Sequence, residues 1–577
     1  MHKFEVWAPR ADSVKVKLGG RVLPLERDEQ AWWRLETDQA RPGDDYAFIL
    51  NDSDTALPDP RSRFQPFGVH GPSRIVDHNA FSWSDRGWQA PPLASAVIYE
   101  LHIGTFTPEG TFDSAINRIH HLVDLGVTHV EMMPINEFPG DRGWGYDGVD
   151  LYAPHHAYGS PDDLKRLVDA CHANGLAVLL DVVYNHLGPV GNYLARFGPY
   201  FTETYDTPWG WAVNLDGPGS REVRRFFCDN ARMWLRDYHF DGLRLDAIHA
   251  LFDRSAIHFL EQLTDEIDAL ESDLQRHLVL IAESDLNQPA VVRPREAFGF
   301  GIDAQWSDDF HHALHTVLTG ERTGYYADFG SLADLAKALK SVFVYDGTYS
   351  GFRGRIHGRP VVNLPGSRFL GYLQTHDQVG NRARGDRSSH LMSIGRLKIG
   401  AALVLLSPFI PMLFQGEEFA ASSPFQYFSG YNDPQMARAV SEGRKNEFAA
   451  FGWNPEDVPD PQSPETFKRS KLNWPEIGEP PHSVLLEWHK RLIALRRSSS
   501  DLTSARLEDV DVDFDEKSCY LKLRRGAFTV ISNLAAVPLS AVIRQRDEIV
   551  LSSDEGIMRE FQRVSLPPES VIILRKA

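Results

Sequence analysis

Arg244 and Asp246 stand two residues apart in the run GLRLDAI, so on an extended strand their side chains project from one face. A guanidinium beside a carboxylate holds it ionised, which is the state a nucleophile needs. An isolated Arg-x-Asp triplet is more often a structural ion pair, and two further runs alter that balance. LVLIAES delivers Glu283 near its end, and RFLGYLQTHD delivers His376 and Asp377. Three apolar runs with an acid at each C-terminal end are what a parallel barrel uses to gather reactive groups at one face. An ionised carboxylate facing a protonated one across about 5 to 5.5 Å can cleave or transfer an acetal bond with retention. Asp246 is expected as the nucleophile. Glu283 is expected as the acid that later becomes the base, its pKa raised by the carboxylates around it. Asp377 is expected to hold sugar hydroxyls as the ring distorts, with His376 and His186 as neutral donors nearby. Two histidines among carboxylates could also bind a metal ion, but Arg244 would repel it, and no metal is expected here.

Bringing these acids together requires a scaffold, and the pattern of the chain supplies one. Strand-like runs at 96–106, 126–135, 176–186, 241–248, 278–284, 301–306, 369–375 and 409–414 alternate with helical patterns. One of these is SPDDLKRLVDACHANG, where Ser160 can cap, Asp162 and Asp163 favour the N-terminal end, and Asn174-Gly175 ends the helix. Eight strands in this arrangement predict an α/β fold built on a (β/α)8 TIM barrel, with long loops, over residues 91–505. Residues 1–90 read as short strands (FEVWAP, SVKVKL, WWRLET, DYAFIL) between turn-formers, an N-terminal β-sandwich. Trp32 and Trp33 are adjacent in it, so at most one can face outward to stack on a sugar. The Pro- and Gly-rich stretch 59–73 reads as a linker or as a loop laid across the barrel. Residues 415–481 read as irregular, 483–497 as an amphipathic helix, and 506–577 as a C-terminal β-sandwich.

Bulk composition narrows the partners. A net charge of −19 disfavours nucleic acid and anionic membrane surfaces, whereas a neutral polyol is indifferent to it. Three scattered cysteines make neither a disulfide framework nor a metal cluster. The N-terminal residues lack a signal-peptide pattern, and the longest apolar stretch, 401–414, is short and broken by Pro408 and Pro411. A cytoplasmic protein is expected.

Four stretches, DVVYNH (181–186), GLRLDAIH (242–249), LIAES (280–284) and LQTHDQVGN (373–381), resemble in order and spacing the four signature regions of the α-amylase superfamily of glycoside hydrolases. The resemblance implies a retaining mechanism on α-glucosidic bonds. It assigns nucleophile, acid/base and transition-state stabiliser to Asp246, Glu283 and Asp377. It also makes Tyr146, in WGYDGVDLYAPHHAYG, the ring that stacks under the sugar beside the cleaved bond. Longer stretches, among them DPRSRFQPFGVHGPS, TPWGWAVNLDG, LTGERTGYYADFG, LFQGEEFAASSPFQYF and EFAAFGW, resemble the maltooligosyltrehalose trehalohydrolases. That likeness implies cleavage of the α-1,4 bond next to a terminal trehalose, giving trehalose and a shortened maltooligosaccharide. It implies no cofactor, and a maltooligosyltrehalose synthase as pathway partner. Some amylases hold calcium, but no loop here spaces carboxylates as such a site would. A branching or debranching enzyme on the same scaffold is an open alternative. So is a non-catalytic glycan-binding protein, which the presence of all three acids with Arg244 disfavours. Thr375 stands where the family more often has Asn, and FSGYNDPQ after Tyr427 also departs from the pattern.

Recognition of the leaving side is expected from residues around the mouth. Trp209 lies in the long loop before the nucleophile strand and offers a flat face for a sugar. His249 lies three residues after Asp246. QWSDDF, residues 305–310, follows the sixth strand and offers Gln305, Asp308 and Asp309. Gln378, Asn381 and Arg382 follow Asp377 and are polar candidates for the groove.

Overall fold

A computed structural model of the chain describes residues 1–51, 53–450 and 454–576; the last three residues of EFAAFGW lie outside them. Eight parallel strands form the centre: β1 (Ile98–Leu101), β2 (His129–Met132), β3 (Ala177–Val182), β4 (Gly242–Leu245), β5 (Val279–Ala282), β6 (Ala304–Trp306), β7 (Phe369–Gly371) and β8 (Ile410–Phe414). Each pairs with the next in chain order, and β8 pairs with β1, closing the barrel. Both faces of every strand are buried, which is why these runs read as continuously apolar.

Period-two alternation decides what fills the barrel. Ile98, Leu179, Ile281, Ala304, Trp306, Leu370, Tyr372, Ile410 and Met412 form one buried cluster inside it. Counting on by two from Leu179 and Ile281 reaches Asp181 and Glu283; from Gly242 it reaches Arg244 and Asp246. The polar groups thus cap the apolar plug at the C-terminal ends of the strands. Gln305 lies between Ala304 and Trp306, so it faces outward toward the helices and is fully buried. Its sequence position near the mouth does not bring its side chain there.

Two antiparallel sheets precede the barrel, one of three strands and one of five, around Phe4, Val6, Val16, Trp33 and Phe48. Trp32 and Trp33 are both buried, so neither faces outward to meet a sugar. The Trp32 indole instead donates to Glu222 on the barrel helix Ser220–Asp237, at 3.0 Å. The stretch 59–73 lies across the barrel: Arg61 donates to the Tyr152 hydroxyl at 3.0 Å and to Asp229 at 2.8 Å. After the barrel, helix His482–Arg497 buries Leu485, Trp488 and Leu492, and antiparallel sheets of five and three strands end the chain.

Residues 415–481 are less irregular than their composition implies. Asp433 accepts from the amides of Gln435 and Met436, and a helix runs over Pro434–Ala450. Over 434–447 most residues are exposed and the rest are only half-buried, so the described part carries no strong apolar stripe by which to be read. No helix among the described residues is long and apolar enough to cross a membrane.

Gly242 opens the nucleophile strand where a Cβ would lie 2.4 Å from the Val279 carbonyl oxygen. Backbone cannot yield there as a side chain could. Gly242→Ala should lower stability by about 1–3 kcal/mol or more, read as a lower midpoint of guanidinium denaturation, with loss of activity through displacement of Arg244 and Asp246.

Candidate active site

The Arg244 guanidinium is wholly buried and lies 4.4 Å above the Trp306 ring. One of its terminal nitrogens donates to Asp246 Oδ1 at 2.7 Å and to both oxygens of Asp181 at 2.8 and 2.9 Å. The other lies 3.7 Å from Glu283 Oε2. Asp246 and Glu283 therefore sit against one cation, with 12% and 14% of their side chains exposed to the mouth.

These two carboxyls are pushed in opposite directions. Burial raises the pKa of Asp246, but Arg244, His186 and the Asn185 amide, which donates to Oδ2 at 2.9 Å, outweigh it and hold the group below its ordinary range. Burial holds Glu283 well above its range; Asp246, Asp308 and Asp377 add to this while Arg244 opposes it. Glu283 Oε2 accepts from the Ala247 amide at 2.6 Å, so Oε1 is the oxygen left to carry the proton. Ala247 adopts φ +38° and ψ +52°, a left-handed conformation that costs about 1–3 kcal/mol for a residue with a Cβ. That turn aims its amide at Glu283 and follows directly on Asp246, the first residue past the strand.

A second chain of hydrogen bonds orients Tyr146. His376 Nδ1 lies 2.5 Å from Glu100 and its Nε2 lies 2.7 Å from the Tyr146 hydroxyl, which donates to Asp181 at 2.6 Å. His376 was expected to be a neutral donor, and the structure corrects this. Burial lowers its pKa, but Asp377 and Glu100 raise it to about 9, so it is an imidazolium donating from both nitrogens. The neighbouring Asp377 carboxylate, 3.4 Å from Nε2, and the Glu100 carboxylate, 276 residues away in sequence, are the physical reasons. Burial lowers the pKa of His186, whose ring nitrogens face two acceptors, the Asn185 side-chain oxygen and the Tyr146 carbonyl, and whose ring stacks flat against Trp209 at 4.5 Å and 6°. Trp209 keeps 47% of its surface exposed.

The remaining sequence candidates divide by location. Asp377 is 40% exposed at the mouth and accepts from Asn381 Nδ2 at 3.3 Å. Asp308 is partly exposed, accepts from the Tyr372 hydroxyl, and is raised to about 7 by burial. His249 is exposed on the turn Ile248–Ala250. Asp309 turns away: it is buried and accepts from the amides of Val344 and Tyr345 and from Asn287. Gln378 accepts from the Thr375 amide and hydroxyl, completing a cap on the helix that carries Asp377. Thr375 is thus part of that cap, its hydroxyl also accepting from the Asp377 amide at 3.2 Å. Arg382 is tied to Glu321 at 2.9 Å. Glu100, Asp181 and Asn185 were not singled out from the sequence, although Asp181 and Asn185 lie inside DVVYNH and share the strand-end position of the chosen acids.

Comparison with known proteins identifies the family. The family description "Alpha amylase, catalytic domain" matches residues 72–207. The chain is 52% identical to the malto-oligosyltrehalose trehalohydrolase of Arthrobacter ramosus over 542 residues, 93% of each chain. It is 48% identical to that of Rhizobium sp. (strain M-11) over 99% of this chain and 97% of the relative. The chain belongs to the malto-oligosyltrehalose trehalohydrolase family. A crystal structure of a protein from Salmonella typhimurium, provisionally assigned as an alpha amylase, superposes with a TM-score of 0.90 at 39% identity, covering 100% of this chain and 97% of that one.

The charge on His376 has a measurable consequence. Its folded pKa of about 9 lies above an unfolded value of about 6.5, so its contribution to stability is fully present below about pH 6.5 and is lost as pH rises through about 9. Denaturation midpoints across that window should fall for the wild type and stay flatter for His376→Gln. Equal slopes would mean that His376 is neutral in the folded protein.

Proposed function

We propose that the chain hydrolyses the α-1,4-glucosidic bond next to the terminal trehalose of maltooligosyltrehalose, releasing trehalose and a maltooligosaccharide. The observation that carries the chemistry is the opposed protonation of Asp246 and Glu283 on one guanidinium. In this reading Glu283 gives its proton to the glycosidic oxygen while Asp246 attacks the anomeric carbon. The carbon–oxygen bond to trehalose breaks, and the maltooligosyl group becomes an ester of Asp246. The Glu283 carboxylate then takes a proton from water as that water attacks the same carbon, which frees Asp246 with net retention. Asp377 and Tyr146 hold the ring undergoing substitution. Asp377 acts through its exposed carboxylate, and Tyr146 through a face fixed by His376 and Asp181.

Trehalose occupies the leaving side, where Trp209, His249 and Asp308 border the mouth and are the residues to contact it. Asn381 and Arg382 flank Asp377. Residues 91–505 are read as the catalytic unit, with 1–90 and 506–577 bracing it. The substrate is supplied by a reaction that converts the reducing end of a maltooligosaccharide to an α-1,1 linkage, the work of a maltooligosyltrehalose synthase.

Incubation with maltooligosyltrehalose, and separately with linear and branched glucans, tests the reading. Free trehalose should appear, with no α-1,6 branch gained or lost; a change in branching would favour a branching or debranching enzyme. Glu283→Gln and Asp246→Ala should each lower kcat by at least about 10²–10⁴-fold while glycan binding persists. The wild-type pH profile should be bell-shaped, its acid limb reporting protonation of Asp246 and its alkaline limb ionisation of Glu283. Undiminished turnover in either variant would remove the assignment.

A further inference from the structure

The loop that carries Trp144 and Tyr146 is closed at its base by a short antiparallel ribbon, Asn136–Glu137 against Asp150–Pro154. Glu137 ends one strand, and His155 and His156 follow the other. The side chains of Glu137 and His155 are fully buried, whereas that of His156 is 29% exposed and opens the cluster to solvent. Glu137 Oε2 lies 3.3 Å from His155 Nδ1, and Glu137 Oε1 lies 2.8 Å from His156 Nδ1. One ligand atom from each of the three residues lies within 4.8 Å of the other two. Tetrahedral nitrogen and oxygen ligands on bonds of about 2.0–2.2 Å stand about 3.4 Å apart, so the triangle needs only small side-chain rotations to close on an ion.

His155 supplies the independent observation. Its ring stacks on Phe138 at 3.6 Å with no exposed surface, and neither ring nitrogen has a hydrogen-bond partner. Its Nδ1 faces the Glu137 carboxylate without hydrogen-bond alignment, as two ligands of a common centre do. The carboxylate is already oriented, since Oε2 accepts from the His156 amide at 2.9 Å. Two imidazoles and one carboxylate suit a zinc-class ion, with water completing the coordination from the His156 side; calcium and magnesium take oxygen ligands.

We propose that Glu137, His155 and His156 bind one zinc-class divalent cation that pins the base of the Tyr146 loop. The ion is structural. It ties the two strands together where their register shifts, between Asn136 and Glu137, and takes no part in bond cleavage. An ion at this place would depart from the expectation that the chain carries no metal.

The test uses the full chain, stripped with a chelator and titrated with Zn²⁺ and, separately, Co²⁺. The expected result is one ion per chain after gel filtration, a tetrahedral Co²⁺ absorption band, and a thermal midpoint raised by Zn²⁺. His156→Ala, at a partly exposed position that tolerates truncation, and Glu137→Gln should weaken binding at least tenfold and abolish both the band and the shift. His277→Ala, at an exposed histidine elsewhere, should change none of them. Absence of stoichiometric metal in the wild type, uptake only at millimolar Zn²⁺, or uptake that survives both His156→Ala and Glu137→Gln would overturn the proposal.

Discussion

A single buried cation governs the barrel mouth. Arg244 has no exposed surface and faces Asp181, Asp246 and Glu283. One positive charge cannot offset three largely buried carboxylates equally, so their pKa values are driven apart. Geometry selects which one stays ionised. Asp246 takes a direct hydrogen bond from the guanidinium and another from Asn185, whereas Glu283 stands a full ångström further off and meets a backbone amide with one oxygen only. Asp246 and Glu283 carry the same functional group, made unlike by burial, by neighbouring carboxylates and by about an ångström of distance from one arginine.

The rest of the mouth keeps that asymmetry in place. Trp306 lies under the guanidinium, and its quadrupole favours the cation. The left-handed turn at Ala247 holds a costly backbone conformation beside the reacting groups, which tight pairing of β4 with β3 and β5 over-determines. On the other side, Glu100, the His376 imidazolium, Tyr146 and Asp181 form a line of hydrogen bonds from β1 to β3 that ends on the same arginine. Tyr146 and Asp246 are therefore referenced to one another through buried polar contacts. Trp32 of the N-terminal sheets and Arg61 of the 59–73 stretch bond to Glu222 and Asp229 on the barrel helix Ser220–Asp237.

How far the site could be read depended on whether the determining neighbour was local. That Arg244 and Asp246 share a face follows from the two-residue period, and the same period, applied to Gln305 beside Trp306, would have turned Gln305 away from the mouth. Asp308 and Asp309 look alike in sequence. The first stays at the mouth and the second folds back onto the amides of Val344 and Tyr345, a choice made by a loop 35 residues on. The helix over Pro434–Ala450 escaped a hydrophobic-pattern reading because solvent, and not the core, covers most of it.

By itself the sequence determined the eight-strand alternation, the three acids and their order, because strand period and strand-end position are local properties of the chain. Only the tertiary structure decided the charge on His376, the unequal states of Asp246 and Glu283, and the convergence of Glu137 with His155 and His156. Each of those depends at least in part on groups far apart in the chain meeting in a buried setting, and no spacing along the sequence encodes a local dielectric.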